Sequence, residues 1–108
     1  MSDDTVLLCL CTCPDTASAQ KLAEALVGER LAACVNRVPG VLSTYRWQGA
    51  VENAAEELLL IKTTTARFEA LKARLLALHP YELPELIALP IELGHAAYRD
   101  WVRASVAE

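Results

Sequence analysis

The sequence has little positive charge and no basic stripe. Ten Lys and Arg residues stand against fourteen Asp and Glu residues, which gives a net charge of −4 at pH 7, and the basic residues are scattered. Nucleic-acid backbones are bound by clustered Lys and Arg side chains. The composition therefore predicts that nucleic acid is not a partner of this protein.

Long hydrophobic runs are also missing. The longest runs, near residues 6–10 and 58–61, are far shorter than the about 20 residues of a transmembrane helix. The chain opens with acidic residues, where a secretion signal would carry positive charge. We therefore expect no membrane partner and a cytoplasmic location. In that compartment cysteines are usually thiols and not disulfides, and the chain has four of them: Cys9, Cys11, Cys13 and Cys34.

The common catalytic patterns are absent as well. The sequence contains no P-loop, no dinucleotide-binding loop, no nucleophile elbow and no HExxH motif. Glu56 and Glu57 are adjacent, so on a strand their carboxylates would point to opposite faces and could not act as a pair. These absences predict a binding protein and not an enzyme.

Apolar residues, in contrast, are abundant. The chain has 108 residues, the size of one domain, and 54 % of them are hydrophobic, whereas about 45–50 % is usual. A domain this small has a large surface for its volume, so part of the apolar surplus should lie outside the core. We predict a single domain over residues 1–108 that assembles with copies of itself.

The hydrophobic pattern predicts elements in the order β-α-β-β-α-β-α. Residues 5–12 are apolar and short, which indicates a strand buried on both faces. Asp15 can cap the helix that follows, and Gly28 suits a left-handed stop after it. The second strand covers residues 31–38 and continues to residue 48 beyond a bend or bulge at Pro39-Gly40. The third strand covers residues 57–64, and a short strand covers residues 86–89.

This order predicts an α+β fold of the ferredoxin-like split βαβ type, with a long hairpin and an extra C-terminal helix. Val41, Ser43, Tyr45 and Trp47 alternate along the hairpin and should share one face. The hairpin reaches further than one small sheet needs, so we expect its tip to lie on a neighbouring subunit.

Three cysteines alternate along the first strand. Cys9, Cys11 and Cys13 are two residues apart, so their side chains should share one face. Thiolates suit Cu(I) and Zn, and Cys13 precedes a helix N-terminus, which favours a thiolate. The alternative is that these cysteines, like Cys34, are small apolar residues of the core.

The other candidate residues also allow two interpretations each. His79 either interacts with the C-terminal end of its helix or serves as a metal ligand or proton carrier. Lys62 either extends its ammonium group from a strand end or pairs with Glu85 in a ligand-binding cleft. Four aromatic residues suit either a subunit contact or a stacked ligand: Tyr45, Trp47, Tyr81 and Trp101.

Six short blocks follow one another in a specific order. They are Thr12-Cys13-Pro14-Asp15, Leu31-Ala32-Ala33-Cys34-Val35-Asn36, Ser43-x-Tyr45-x-Trp47-x-Gly49, Ile61-Lys62-Thr63-Thr64, His79-Pro80-Tyr81-Glu82-Leu83-Pro84-Glu85 and Tyr98-x-x-Trp101. Together they resemble the CutA divalent-cation-tolerance family over nearly the whole chain, from about residue 6 to residue 106.

The resemblance implies a homotrimer of ferredoxin-like subunits, similar to the PII-type signalling proteins, that binds copper or another divalent cation. The implied ligands are Cys11, Cys34 and His79, with Cys13 as one more soft ligand in this chain. The resemblance also implies a cleft between subunits. Through this cleft the protein would act either as a sensor or regulator that binds a small molecule, or as a scaffold that binds a partner protein. The matching cleft residues are Tyr45, Trp47, Lys62, Tyr81, Glu85 and Trp101.

Overall fold

The structure, a computed structural model, describes residues 4–108. Most of the acidic start of the chain lies outside these residues. The elements are β1 (Val6–Cys13), α1 (Thr16–Gly28), β2 (Cys34–Trp47), β3 (Ala50–Thr64), α2 (Thr65–Leu78), β4 (Ile87–Pro90) and α3 (Ala96–Val106). The predicted order of strands and helices is therefore confirmed. In the described part of the chain, no helix is both long and apolar enough to cross a membrane.

The strands form one antiparallel sheet in the order β2-β3-β1-β4. On one face, which we call the core face, Cys9, Cys11 and Cys13 pack with Leu59 and Ile61 against α1 and α2. The opposite face, which we call the second face, is contacted by α3, which lies against β1 and β3 and whose buried Val102 and Val106 are not part of the core-face cluster. The alternation of the three cysteines onto one buried face is as the sequence predicts.

The first helix begins as predicted and ends differently. The Asp15 side chain accepts a hydrogen bond of 2.8 Å from the backbone N–H of Ser18, which confirms the cap. Gly28 is the last helical residue, whereas the left-handed residue is Arg30 with φ 60°. The predicted left-handed stop at Gly28 is therefore wrong. The chain reverses two residues later because the amides of Leu31 and Ala32 both bond to the carbonyl of Leu26.

The hairpin of β2 and β3 is longer than the sequence predicts. The two strands are joined by Gln48 and Gly49, which both have positive φ, as a two-residue hairpin turn requires. The predicted bulge is confirmed by a register shift between Val38 and Val41. The third strand begins at Ala50 and not at residue 57, and the second begins at Cys34 and not at residue 31. The third strand's early residues are mostly exposed, so they lack an apolar alternation that could reveal the strand.

The far half of this hairpin has no other strand beside it. Strand β1 pairs only with residues 57–64 of β3, so residues 41–56 form a two-stranded ribbon. This ribbon helps to give the subunit its elongated extents of 43 × 26 × 22 Å. It also carries exposed apolar side chains, of which Leu42 is 84 % exposed and Val51 is 61 % exposed.

Candidate metal centre and neighbouring cavity

Three soft donor groups meet where β1 ends beneath the C-terminal end of α2. The sulfur atoms of Cys11 and Cys13 and a ring nitrogen of His79 all lie within 4.8 Å of one another. Both cysteines are 0 % exposed and His79 is 7 % exposed. We call this group, which could hold a metal ion, the triad. Strand alternation brings the two thiols to the core face, and the end of α2 places the imidazole beside them.

Backbone groups hold the imidazole of His79 on both sides. Its Nδ1 accepts a hydrogen bond of 3.1 Å from the N–H of Tyr81, so the ring proton lies on Nε2. That Nε2–H donates to the carbonyl of Thr12 at 2.8 Å and lies 3.8 Å from the sulfur of Cys13. His79 therefore ties the chain after α2 to the end of β1, and its metal-facing nitrogen already has a protein partner.

The two thiols of the triad act on each other's pKa and differ in acidity. The bond to Cys13, together with burial, raises the pKa of Cys11 well above its ordinary value. The charges of Cys13, Glu85 and Glu56 raise it further. The pKa of Cys13 is lowered because its sulfur accepts the hydrogen bond from Cys11. Cys13 is therefore the more acidic of the two thiols.

Cys34 lies apart from the triad. On β3 its pairing partner is Lys62, whereas the partner of Cys11 is Leu59, three residues away. Residues an odd number apart on a strand face opposite sides of the sheet, so Cys34 lies on the second face. Within one subunit the structure thus does not bring Cys34 to Cys11 and His79, and Cys13 is the third member of the buried group instead.

Lys62 and Glu85 are also not brought together. Lys62 Nζ lies 4.0 Å from the sulfur of Cys34 and contacts the side-chain oxygen of Asn36. Within residues 4–108 no ion pair is formed between Lys62 and Glu85. Lys62 pairs with Leu8, whereas Glu85 lies in the cavity beside Thr12. Leu8 and Thr12 are four residues apart on β1, which at about 3.3 Å per residue is about 13 Å.

A cavity of about 610 Å³ lies on the second face beside the ribbon. Four of the six predicted cleft residues line it: Tyr45, Trp47, Tyr81 and Glu85. Lys62 and Trp101 do not line the cavity. Trp101 lies on α3, where it is 47 % exposed and its ring contacts that of Tyr98 in a tilted arrangement, with ring centroids 5.5 Å apart. The other lining residues, which the sequence did not single out for this cavity, are Thr12, Ser43, Thr44, Arg46, Glu56, Glu82 and Leu83.

Glu56 anchors the inner wall of the cavity. Its carboxylate accepts a hydrogen bond of 2.6 Å from the hydroxyl of Tyr81, and burial together with Glu56 raises the pKa of that tyrosine. Glu57 faces the other side of the sheet, where it accepts a bond of 2.8 Å from Thr16. The predicted opposite orientation of Glu56 and Glu57 is confirmed. Glu56 lies on the same face of the hairpin as Ser43, Tyr45 and Trp47. The sequence could have placed it in the cavity only if the pairing register of β2 with β3 had been known.

The chain is similar to known proteins over nearly its whole length. Residues 7–105 match the model of the CutA1 divalent ion tolerance protein. The chain belongs to the CutA1 family. It is 57 % identical over 94 residues to the divalent-cation tolerance protein CutA of Thermus thermophilus, an alignment that covers 87 % of this chain and 91 % of the relative. The resemblance seen in the six sequence blocks is thus confirmed.

Solved structures of CutA1 relatives have the same fold. The protein from Thermus thermophilus superposes with a TM-score of 0.92 at 53 % identity, covering 94 % of this chain and 99 % of that one. CutA from Xylella fastidiosa also gives 0.92, at 48 % identity, over 97 % of this chain and 99 % of its own. The family description and the names of these relatives refer to tolerance of divalent cations and name no reaction.

Proposed function

We propose that this CutA1 family member binds copper, or another divalent or sulfur-seeking cation, at Cys11, Cys13 and His79, and thereby supports cation tolerance in the cytoplasm. The observation that carries the proposal is the convergence of two thiols and one imidazole within 4.8 Å in the core. Thiolate and imidazole donors suit copper and zinc better than hard cations such as Mg²⁺.

A metal can bind the triad only if Cys11 loses its proton and His79 loses a hydrogen bond. A bound metal requires deprotonated sulfur and a free imidazole nitrogen. The lowered pKa of Cys13 favours its thiolate, whereas Cys11 has a raised pKa and must lose its proton. His79 must give up its bond to the carbonyl of Thr12 if Nε2 is to become a ligand. The site therefore selects cations that bind sulfur strongly enough to offset these losses.

A competition titration of Cu(I) into the reduced protein tests this function. We expect one copper per chain, with an affinity that rises with pH between pH 6 and pH 8, by about tenfold per pH unit for each proton that leaves as copper binds. The sign follows from Cys11, whose raised pKa keeps its thiol protonated across this range. Absence of tight binding, or an affinity that does not change with pH, would contradict the proposal.

We further propose that the working form is a homotrimer of ferredoxin-like subunits similar to the PII-type signalling proteins. The ribbon supports this assembly, because an isolated two-stranded hairpin is marginally stable in water and needs a further layer. The exposed apolar side chains at Leu42, Val51 and Leu93 support it as well, since such surfaces commonly mark subunit contacts.

The cavity supports a second function, that of a small-molecule sensor. Its lining includes three carboxylates, at Glu56, Glu82 and Glu85, against one guanidinium, at Arg46. Such a cavity favours ligands that carry positive charge and can stack on Tyr45 or Trp47. In a thermal-shift panel of metabolites, cationic compounds should raise the melting temperature, and Trp47→Ala should reduce the shift. A flat panel would count against this function without affecting the copper titration.

A further inference from the structure

The segment of residues 79–81 connects the triad to the wall of the cavity. His79 belongs to the triad, and two residues later Tyr81 lines the cavity. The backbone N–H of Tyr81 donates to Nδ1 of His79 at 3.1 Å, and the centroids of the two rings lie 4.9 Å apart. The hydroxyl of Tyr81 donates to the carboxylate of Glu56 at 2.6 Å. A rearrangement at His79 therefore acts on Tyr81, and through Tyr81 on Glu56.

A metal on Nε2 of His79 is incompatible with these contacts. A neutral imidazole carries one ring proton, so coordination through Nε2 leaves that proton on Nδ1. The Nδ1–H group would then face the N–H of Tyr81, and two donors cannot bond to each other. Metal-ligating histidines usually direct this second N–H to a carbonyl, a carboxylate or water. Residues 79–81 must therefore rearrange when His79 becomes a ligand.

The cavity holds the same segment in the arrangement that the structure shows. Tyr81 and Glu56 both line the cavity, and so does Thr12, whose carbonyl accepts the bond from Nε2–H of His79. Glu56 is only 8 % exposed, and a short hydrogen bond to a carboxylate is stronger than one between neutral groups. A ligand that packs on this wall stabilises the contacts that a metal on His79 must break.

We propose that a cation in the triad and a cationic ligand in the cavity oppose each other's binding, with residues 79–81 as the element on which both act. This coupling rests on the proposed copper site and the proposed cavity function, since it needs both. The effect is reciprocal, so the factor by which the ligand lowers the copper affinity equals the factor by which copper lowers the ligand affinity. We expect a factor of about ten, within the usual range for coupled sites.

A competition titration of Cu(I), with and without a cavity probe, measures the coupling. We choose benzyltrimethylammonium chloride as the probe, because its cation has a permanent positive charge and an aromatic ring but no lone pair that could bind copper. A saturating concentration of the probe should lower the copper affinity of the parent protein about tenfold. In calorimetry, the copper-loaded protein should bind the probe about tenfold more weakly than the protein without copper. Sodium chloride at equal concentration controls for ionic strength.

Tyr81→Phe tests the connection without a probe. The variant keeps the ring but removes the hydroxyl that holds the segment to Glu56, so the segment can rearrange more easily. The copper affinity should rise about tenfold, the effect of one hydrogen bond to a charged group, and the probe should lower it less than in the parent. Tyr98→Phe removes a tyrosine hydroxyl on α3, outside the triad and the cavity lining, and should change neither result. Glu56 is not varied, because its charge also acts on the pKa of Cys11 and Cys13.

The outcomes separate the coupling from the functions that it joins. A parent protein that binds no copper contradicts the metal function, and the coupling falls with it. A parent that binds copper with an affinity that neither the probe nor Tyr81→Phe alters overturns the coupling and leaves the metal function standing. A probe that raises the copper affinity overturns it as well.

A probe that does not bind to the protein without copper counts against the cavity function. Tyr81→Phe then decides whether the bond to Glu56 restrains the triad: a raised copper affinity supports the connection, and an unchanged affinity overturns it. Circular dichroism of the parent and both variants verifies that all three are folded.

Discussion

Replacing Cys11 and Cys13 together with alanine should abolish tight copper binding. Metal sites with four protein ligands bind with about 10–16 kcal/mol, so each ligand accounts for about 3 kcal/mol and the loss of two should weaken binding on the order of 10,000-fold. Each single replacement should weaken it by on the order of 100-fold. The affinity is measured by competition with a Cu(I) chelator on the fully reduced variants.

Two other cysteines provide matched controls for this experiment. Cys9 lies on the same strand and the same buried face as the triad but outside it, so Cys9→Ala removes an equivalent core thiol without removing a ligand. Cys34→Ala removes the half-buried thiol of the second face. Copper affinity in both controls should stay within about threefold of the parent, far less than one ligand is worth. Equal losses in Cys9→Ala and in the triad variants would indicate a general effect of core packing and contradict the assignment.

A native mass of three chains is the second expected result, and it should fall to one chain in Leu42→Glu/Val51→Glu. Both side chains lie on the same face of the ribbon and are largely exposed in the single subunit. If a neighbour covers this face, two carboxylates placed there lose their hydration without gaining partners, which costs several kcal/mol. Light scattering coupled to size exclusion measures the mass, which is 11.8 kDa for one chain.

Leu76→Glu is the matched control for assembly. Leu76 is 49 % exposed on α2, far from the ribbon in the sequence, so a carboxylate there should leave the mass unchanged. A parent protein that runs at the mass of one chain would contradict the trimer outright. A double variant that stays trimeric would show that this face of the ribbon does not make the contact.

Local periodicity predicted much of this structure. The spacing of Cys9, Cys11 and Cys13 predicted one shared face, because strand alternation depends only on the chain itself. The Asp15 cap was predictable for the same reason, since it involves residues three apart. The family blocks singled out six aromatic and charged residues as a cleft, and four of these six line one cavity.

Features that depend on the pairing register were beyond the sequence. Whether Cys34 faces Cys11 is decided by which β3 residue each strand pairs with, and a shift of one residue would reverse the answer. The distance between Lys62 and Glu85 depends on the same register. The start of β3 was missed because the ribbon is largely solvated, so its residues show no buried stripe. Long-range pairing, and not local preference, decides these three features.

The burial of the triad also has a kinetic consequence. A cation cannot reach Cys11 and Cys13 until the chain near His79 parts from the end of β1. For the proposed copper site, loading and release would then be limited by how often that segment opens, and at high metal concentration the loading rate would become independent of concentration. A site that exchanges its cation only when the protein opens would favour long retention of that cation over its rapid transfer to another protein.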